Sequence, residues 1–387
     1  MKIRSQRIEG FRQSEIRAMT QACNALGGVN LGQGICDLPA PEAVKRAAKA
    51  AIDADQSTYS RFDGVDAFRH AVARKLQRYN GITYNPENEI VATVGSSGAL
   101  TATLQALFDP GDELIVFEPS YGYHLFSCKV AGVVAKTVTL TAPDFAIDPE
   151  RVRAAITPQT RAILVNTPSN PSGKVFTREE LMQIAEICIE KDLLCITDEI
   201  YEYIVYDGGT HVSMASLPGM WERTITLSGY SKTFHITGWR LGYAAAPAPF
   251  ALAIGLINDL FSICAPTPLQ HGVAQAIDEL PDSYYTEMCA GYQRTRDEFC
   301  GVLSEVGLDP IVPKGAYYVL ADNRRLGAAS APEAAMKLLR EAGVAGVAGS
   351  EFFAGDEGDH LIRFCYAKKP EAIAEASQRL RDWAKRA

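Results

Sequence analysis

The sequence has no Cys-x-x-Cys pair and no cysteine–histidine spacing of the kind that ligates zinc. Its nine cysteines, at 23, 36, 128, 188, 195, 264, 289, 300 and 365, are scattered, which fits a reducing compartment better than a disulfide framework. Internal repeats and low-complexity linkers are missing as well. Basic residues are not in excess: 38 Lys+Arg against 46 Asp+Glu leave a formal charge of −8. That balance argues against a dedicated binder of nucleic acid or anionic membrane, so any anion site must be local. The first ten residues mix Lys2, Arg4 and Arg7 with polar groups and lack the apolar core of a signal peptide, so a cytoplasmic protein is expected. One long uncharged run, Leu241 to Asn258, is broken by Pro247 and Pro249 and diluted by Ala and Gly. It reads as a strand end followed by a buried helix rather than a membrane span.

What is present is a chain of 387 residues, 47% hydrophobic and 22% charged, the composition of a globular protein with a large core. The length exceeds twice the usual domain size and predicts one large domain with a smaller one. Between Glu89 and Ala245, β-rich runs alternate with helical stretches, the pattern of a mostly parallel sheet covered by helices, so the expected class is α/β. The expected strands are Ile90–Val94, Glu113–Phe117, Val133–Val138, Arg161–Asn166, Leu193–Thr197, Thr224–Ser228 and Gly242–Ala245. Several are apolar throughout, as strands buried on both faces should be. Thr177-Arg178-Glu179-Glu180 is a capping box opening a helix, with Leu181, Ile184, Ala185 and Cys188 at helical spacing.

Past Pro281 the pattern changes to a long charged helix, a β-rich run at Tyr317–Leu320, a helix near Pro332–Ala342 and a run at Leu361–Tyr366. The stretch from Pro370 to Ala387 places Ile373, Ala376, Leu380 and Trp383 on one helical face. This predicts three parts: an arm, 1–45, that joins the small domain; a large domain, 46–281; and a small α+β domain, 282–387. The first forty residues are too few for a domain and are expected to pack against the C-terminal lobe or cover the cleft.

The most informative segment runs from Ser228 through Ser231, Lys232, Gly238, Trp239 and Arg240 to Tyr243, directly after an expected strand. A lysine where a sheet meets its C-terminal crevice, among Tyr, Phe and Ile, is a plausible Schiff-base former, because desolvation lowers its pKa. A nearby serine and arginine suit a phosphate. Gly95-Ser96-Ser97-Gly98-Ala99 follows Ile90–Val94 and opens a helical stretch, where amides and hydroxyls can meet an anion; the same turn is also a plain helix start. Asp198 ends an apolar run and is placed at a strand end, and Asn170 before Pro171 reads equally as a turn former.

The lysine segment resembles the signature of the class I, fold type I, pyridoxal-phosphate aminotransferases. Further family elements follow in the right order: Asn30-Leu-Gly-Gln-Gly34, Asn166-Thr-Pro-Ser-Asn170-Pro171-Ser-Gly173, Asp198-Glu-Ile-Tyr201, Lys232, Arg240, and Ile362-Arg363-Phe-Cys-Tyr366. The resemblance implies a seven-stranded, mostly parallel sheet between helices and pyridoxal 5′-phosphate as cofactor. It implies that Lys232 bonds the cofactor and shuttles the substrate Cα proton, that Asp198 pairs with the pyridine nitrogen, and that Tyr201 and Asn170 donate to the phenolic oxygen. Ser96, Ser97, Gly98, Ser231 and Arg240 become the phosphate cup, Ser228 competing with Ser231, which is favoured. Tyr121 becomes the stacking ring, and Tyr59 a contact to the phosphate of a second subunit, hence a homodimer. Arg363 clamps the substrate α-carboxylate, Asn170 assists, and Gly34 lets the backbone approach the substrate.

The implied reaction passes the amino group of an L-amino acid to a 2-oxo acid by a ping-pong route. Motif order is similar to the kynurenine, glutamine and methionine branch and to the prokaryotic aspartate and aromatic branch. Because Asn258–Gln270 offers Phe261, Ile263 and Cys264 but no basic residue, a neutral or aromatic donor is favoured over aspartate. The lysine, aspartate and arginine set is shared by C–S β-lyases and cyclopropane-forming synthases, which stay open as alternatives. A ligand sensor on this fold has no room for a DNA-binding module.

Overall fold

The computed structural model describes residue 3, residues 5–9 and residues 14–386. Lys2, Arg4 and Gly10 of the N-terminal reading and Ala387 of the expected last helix lie outside the described residues. In chain order the strands are β1 Val29–Asn30, β2 Ile90–Val94, β3 Glu113–Glu118, β4 Val134–Thr139, β5 Thr160–Asn166, β6 Leu194–Asp198, β7 Thr224–Gly229, β8 Leu241–Ala245, β9 Pro310–Ile311, β10 Tyr318–Asp322, β11 Val344–Ala345, β12 Val347–Ala348 and β13 Leu361–Cys365. The α-helices are α1 Glu15–Ala25, α2 Glu42–Asp53, α3 Asp66–Lys75, α4 Gly95–Leu107, α5 Gly122–Ala131, α6 Pro149–Ala155, α7 Arg178–Glu190, α8 Ala248–Ser262, α9 Thr267–Glu279, α10 Asp282–Glu305, α11 Ala331–Ala342 and α12 Pro370–Ala384.

Seven strands form one sheet in the order β2-β8-β7-β6-β5-β3-β4. Pairings from β7 to β4 are parallel, while β8 runs antiparallel to both β7 and β2. Each of the seven expected strands is present, with bounds moved by one residue at most ends. Ile163, Cys195, Ile225 and Leu241 are among the side chains that the sheet buries completely, which explains why these runs are apolar throughout. Helix α7 opens on the capping box read from Thr177 and Glu180, whose side chains and backbone amides exchange hydrogen bonds.

A four-stranded antiparallel sheet, β12-β13-β10-β9, lies in the C-terminal part. The N-terminal segment joins it: β1 pairs in parallel with β11, and Met19, Cys23, Leu31 and Cys36 share one core with Tyr317, Phe364 and Trp383. Helix α12 buries Ile373, Ala376, Leu380 and Trp383 on one face.

The segment after β8 departs from expectation. Helix α8 is not buried: it hides Ala251, Ile254, Gly255 and Asn258 but leaves Leu252, Leu256 and Leu260 exposed at four-residue spacing. Among the described residues no helix is long and apolar enough to cross a membrane.

Charges are buried beneath the end of β6. Lys75 pairs with Glu202, both within 3% of full burial, and Asn80 donates to the same carboxylate at 2.9 Å. Glu199 accepts from Ser213 at 2.8 Å and faces His211 Nε2 at 2.9 Å. The ligand atoms of Glu199, Glu202 and His211 lie within 4.8 Å of one another, yet the Lys75 ammonium already sits on this cluster.

Candidate active site

The C-terminal ends of the parallel strands open onto a cavity of about 250 Å³. Register aligns its floor, since Asn166 of β5 lies opposite Asp198 of β6, which lies opposite Leu227 of β7, with Lys232 five residues further on. Asn166 ties these ends together: its Nδ2 donates to the Asp198 carbonyl at 2.9 Å and its Oδ1 accepts from the Asn170 amide at 2.9 Å.

Among the described residues Lys232 Nζ donates only to the Gly34 carbonyl, at 3.3 Å, and it lies 5.7 and 5.6 Å from the ring centres of Tyr201 and Tyr317. Burial brings its ammonium down to about 8, so a minor but appreciable share of the amine is neutral near physiological pH, far more than for an ordinary lysine. Asp198 Oδ2 faces His124 Nε2 at 3.0 Å, and the Ile200 amide donates to Oδ1 at 3.3 Å. Tyr201 OH lies 2.9 Å from Tyr318 OH, and burial pushes the Tyr201 phenol well up.

Three arginines line the cavity, Arg17, Arg240 and Arg363, and among the described residues none has a carboxylate at salt-bridge distance. Arg240 spends its donors on the carbonyls of Thr237 at 2.9 Å and Val94 at 3.5 Å. It holds φ 57°, ψ 50°, a left-handed conformation that costs a non-glycine residue about 1 kcal/mol. Gly95, at φ 72°, makes its approach possible, because a Cβ there would lie 2.5 Å from Arg240 Nη2. Ser96, Ser97 and Ser231 line the same end. At the other end Arg363, 1% exposed, donates to Asn170 Oδ1 at 2.9 Å and the Gly32 carbonyl at 2.6 Å; its Nε is buried without a partner. The Tyr318 and Phe352 rings flank its guanidinium at 4.4 and 4.7 Å.

Of the residues singled out in the sequence, Gly34, Ser96, Ser97, Tyr121, Asn170, Asp198, Tyr201, Ser231, Lys232, Arg240 and Arg363 all line this one cavity. Gly98 is not in the lining and sits one turn into α4. Tyr59 is also absent from it and is 78% exposed on the single chain. Ser228 points away, its hydroxyl donating to the Glu199 carbonyl and the Glu202 carboxylate, each at 3.2 Å. Gly34 has a reason beyond substrate access: a Cβ there would fall 2.1 Å from Tyr318 OH. Phe261 is 63% exposed and takes no part in the lining.

Sequence reading missed His124, which meets Asp198 from outside the lining, and Tyr318, Ser14, Ile16, Arg17 and Tyr123, which line the cavity. His124 was within reach, lying three residues after Tyr121 on a helix and therefore on the same face. The α1 residues carried no such signal. They are held by tertiary bonds: Asn30 Nδ2 donates to Thr20 of α1 at 3.1 Å, while Asn30 Oδ1 accepts the Gly32 and Gln33 amides at 3.0 and 3.1 Å.

The family model described as "Aminotransferase class I and II" matches residues 27–380. The chain is 35% identical to kynurenine–oxoglutarate transaminase 3 of Mus musculus over 98% of this chain and 90% of that protein. It is 36% identical to aromatic-amino-acid aminotransferase 2 of Thermococcus litoralis, over 97% of each. Among solved structures, N-succinyldiaminopimelate aminotransferase from Mycobacterium tuberculosis superposes with a TM-score of 0.95 at 34% identity, covering 98% of this chain and 100% of that one.

Proposed function

The chain belongs to the class I and II aminotransferases and is a transaminase, and from that premise we propose that it transfers the α-amino group of a neutral or aromatic L-amino acid to a 2-oxo acid by a ping-pong route. The observation that carries the reading is one cavity holding a buried amine brought down to about 8, a carboxylate in the same lining, and two buried-end arginines, Arg240 and Arg363, that like the rim Arg17 have no carboxylate partner among the described residues.

The residues fit pyridoxal 5′-phosphate. Arg240, Ser96, Ser97 and Ser231 offer donors for a phosphate where Gly95 leaves no room for a side chain. Asp198 would meet the ring nitrogen, Asn170 and Tyr201 the phenolic oxygen, and Tyr121 the ring face. The cofactor, when bound, supplies an electron sink for the charge that develops at the substrate Cα.

Each protein group then has a defined task. Arg363 holds the α-carboxylate with the Nε and Nη donors that its protein partners leave free, which fixes Cα relative to Lys232. Lys232 Nζ takes the proton from Cα as a neutral amine and returns it as an ammonium, a cycle for which a pKa near 8 is well matched. His124, 2% exposed, holds the Asp198 carboxylate in place. Tyr318 positions the Tyr201 hydroxyl. The donor's side chain meets Ile16, Ile35, Tyr121 and Tyr123, an apolar wall that favours methionine, glutamine, kynurenine, phenylalanine or tyrosine over aspartate.

A homodimer completes the proposal. Tyr59 stands beside the exposed Leu252, Leu256, Leu260, Phe261 and Ile263, since Thr267 bonds the Thr58 carbonyl at 2.8 Å and Asn258 bonds that of Phe62 at 3.0 Å. Such an apolar surface suits a second copy of the chain, from which Tyr59 would reach the neighbouring phosphate. The nine cysteines are all free, which supports a cytoplasmic enzyme.

The deciding experiment mixes holoenzyme with single amino acids and follows the cofactor's absorbance from the aldehyde to the amine form. Methionine or an aromatic donor is expected to convert it fastest. Conversion by aspartate tenfold faster would replace this reading with an aspartate-type enzyme, and pyruvate and ammonia from a cysteine conjugate, with no oxo acid added, would mark a β-lyase.

A further inference from the structure

The rim of the cavity carries one guanidinium that none of the tasks above employs. Arg17, on the first turn of α1, lines the cavity beside Ser14, Ile16, Gln33 and Ile35. It makes no hydrogen bond and no ion pair among the described residues. The remaining cations of the lining are spoken for: Lys232 by the reacting carbon, Arg240 by the phosphate end, Arg363 by the α-carboxylate. Of the nearby acids, Glu351 accepts from the Glu15 backbone and feels the Glu15 charge, and neither Glu15 nor Glu351 enters the lining. Arg17 is therefore an exposed positive charge on the cavity rim with no ion-pair partner among the described residues, carried by α1 rather than by the strand-end segments that bear Ser96, Ser97, Ser231 and Arg240. Being exposed, it loses little hydration when it meets an anion, and its planar fork suits a carboxylate.

Resting on the aminotransfer reading above, the geometry points to Arg17 as the residue that selects a dicarboxylic 2-oxo acid as amino acceptor, by pairing with its distal carboxylate. One cavity then serves two kinds of substrate. A neutral donor lays its side chain on Ile16, Ile35 and Tyr123, and the acceptor extends past the same wall to the rim charge. Desolvating a distal carboxylate against the apolar wall alone would be unfavourable, and Arg17 removes that penalty for an acid long enough to reach it. The amino acid formed from that acceptor, with the same distal carboxylate, is released from the same contact.

The test compares 2-oxoglutarate with 2-oxohexanoate, an acceptor of similar length whose far end is uncharged, in the wild-type holoenzyme and in R17Q and R17K. The ratio of kcat/KM for 2-oxoglutarate over 2-oxohexanoate is expected to fall at least tenfold in R17Q, mainly through KM, and to be partly restored in R17K, which keeps the charge without the fork. Higher salt should narrow the wild-type ratio, because the pair is solvent-exposed. Calorimetric titration with glutarate reads the same contact without turnover, and its dissociation constant should rise about tenfold in R17Q. A ratio within twofold of wild type, or equal KM increases for both acceptors, would overturn the assignment, the latter showing that Arg17 only supports α1. Because glutarate binding needs no amino transfer, a failure of the donor reading leaves this outcome legible on its own.

Discussion

The floor of the cavity and its rim are built in different ways. Asp198, Asn166 and Lys232 stand at or just past strand ends whose register is fixed by the sheet, and Arg363 sits within a paired strand with its guanidinium buried to 1% exposure. Ser14, Ile16, Arg17, Ile35 and Tyr123 come from a helix, a turn and a helix start, and Arg17 and Ile35 are exposed. Floor side chains thus have positions that depend on many backbone hydrogen bonds at once. Those of the rim depend on a few side-chain bonds, such as the Asn30 bonds to Thr20, Gly32 and Gln33. Groups that touch reacting atoms belong on the rigid part, and groups that only choose among substrates tolerate the softer one.

Substitutions should separate the two regions by the size and kind of effect. Lys232→Ala is expected to lower turnover by at least about 10⁴-fold with the fold intact, since proton transfer alone is worth roughly 10²–10⁴; single-turnover absorbance and circular dichroism check both halves. Wild-type kcat in that variant would erase the distinction. Asp198→Ala should lose roughly 3–4 kcal/mol of transition-state stabilisation, about 10²–10³ in kcat, as for other preorganised charges. It should also bind pyridoxal phosphate less tightly in an equilibrium titration of the apo-protein.

On the rim, Ile35→Ala should leave kcat for small donors close to wild type. It should lower the ratio of kcat/KM for methionine over alanine by about three- to tenfold, the range for a few methylenes of pocket surface. An equal loss for both donors would mean that Ile35 acts on the floor. The smallest effect concerns pH. Burial, then the charge of Glu15, raises the Glu351 carboxyl from 4.5 to about 7. The folded state therefore keeps a proton that the unfolded state releases above pH 4.5, and stability falls as pH rises through 4.5–7. Glu351→Gln should flatten that fall, by on the order of a degree in Tm between pH 5 and 8. An unchanged slope would show that Glu351 is solvated.

The floor was legible in the sequence and most of the rim was not, for physical reasons. Apolar runs such as Leu193–Thr197 announce buried strands, and Asp198 follows one directly and Lys232 lies four residues past the end of another, so their place at the sheet end could be read. The family resemblance supplied roles that periodicity could not. Arg17 and Ile16 lie on a helix whose pattern says only which face packs on the core, and their nearness to Tyr121 arises from tertiary contact across a hundred residues. Helix α8 misled for the opposite reason. Its sequence, uncharged up to Asn258, reads as buried, and in the single chain Leu252, Leu256 and Leu260 face outward, because apolar composition does not say which surface it is covered by.

The ion pair of Lys75 and Glu202 beneath β6 bears on how this chain can change over generations. Losing either partner alone strands the other's charge in the core, at a cost of about 3–5 kcal/mol, a large share of a typical protein's stability. Replacing both together by apolar residues of similar volume can be neutral. Descendants must therefore keep both or exchange both, and the intermediate with one is a valley that few lineages cross. Ile35 and Arg17 have no such tie, so substrate preference is free to drift while the layer under Asp198 and Tyr201 stays in place.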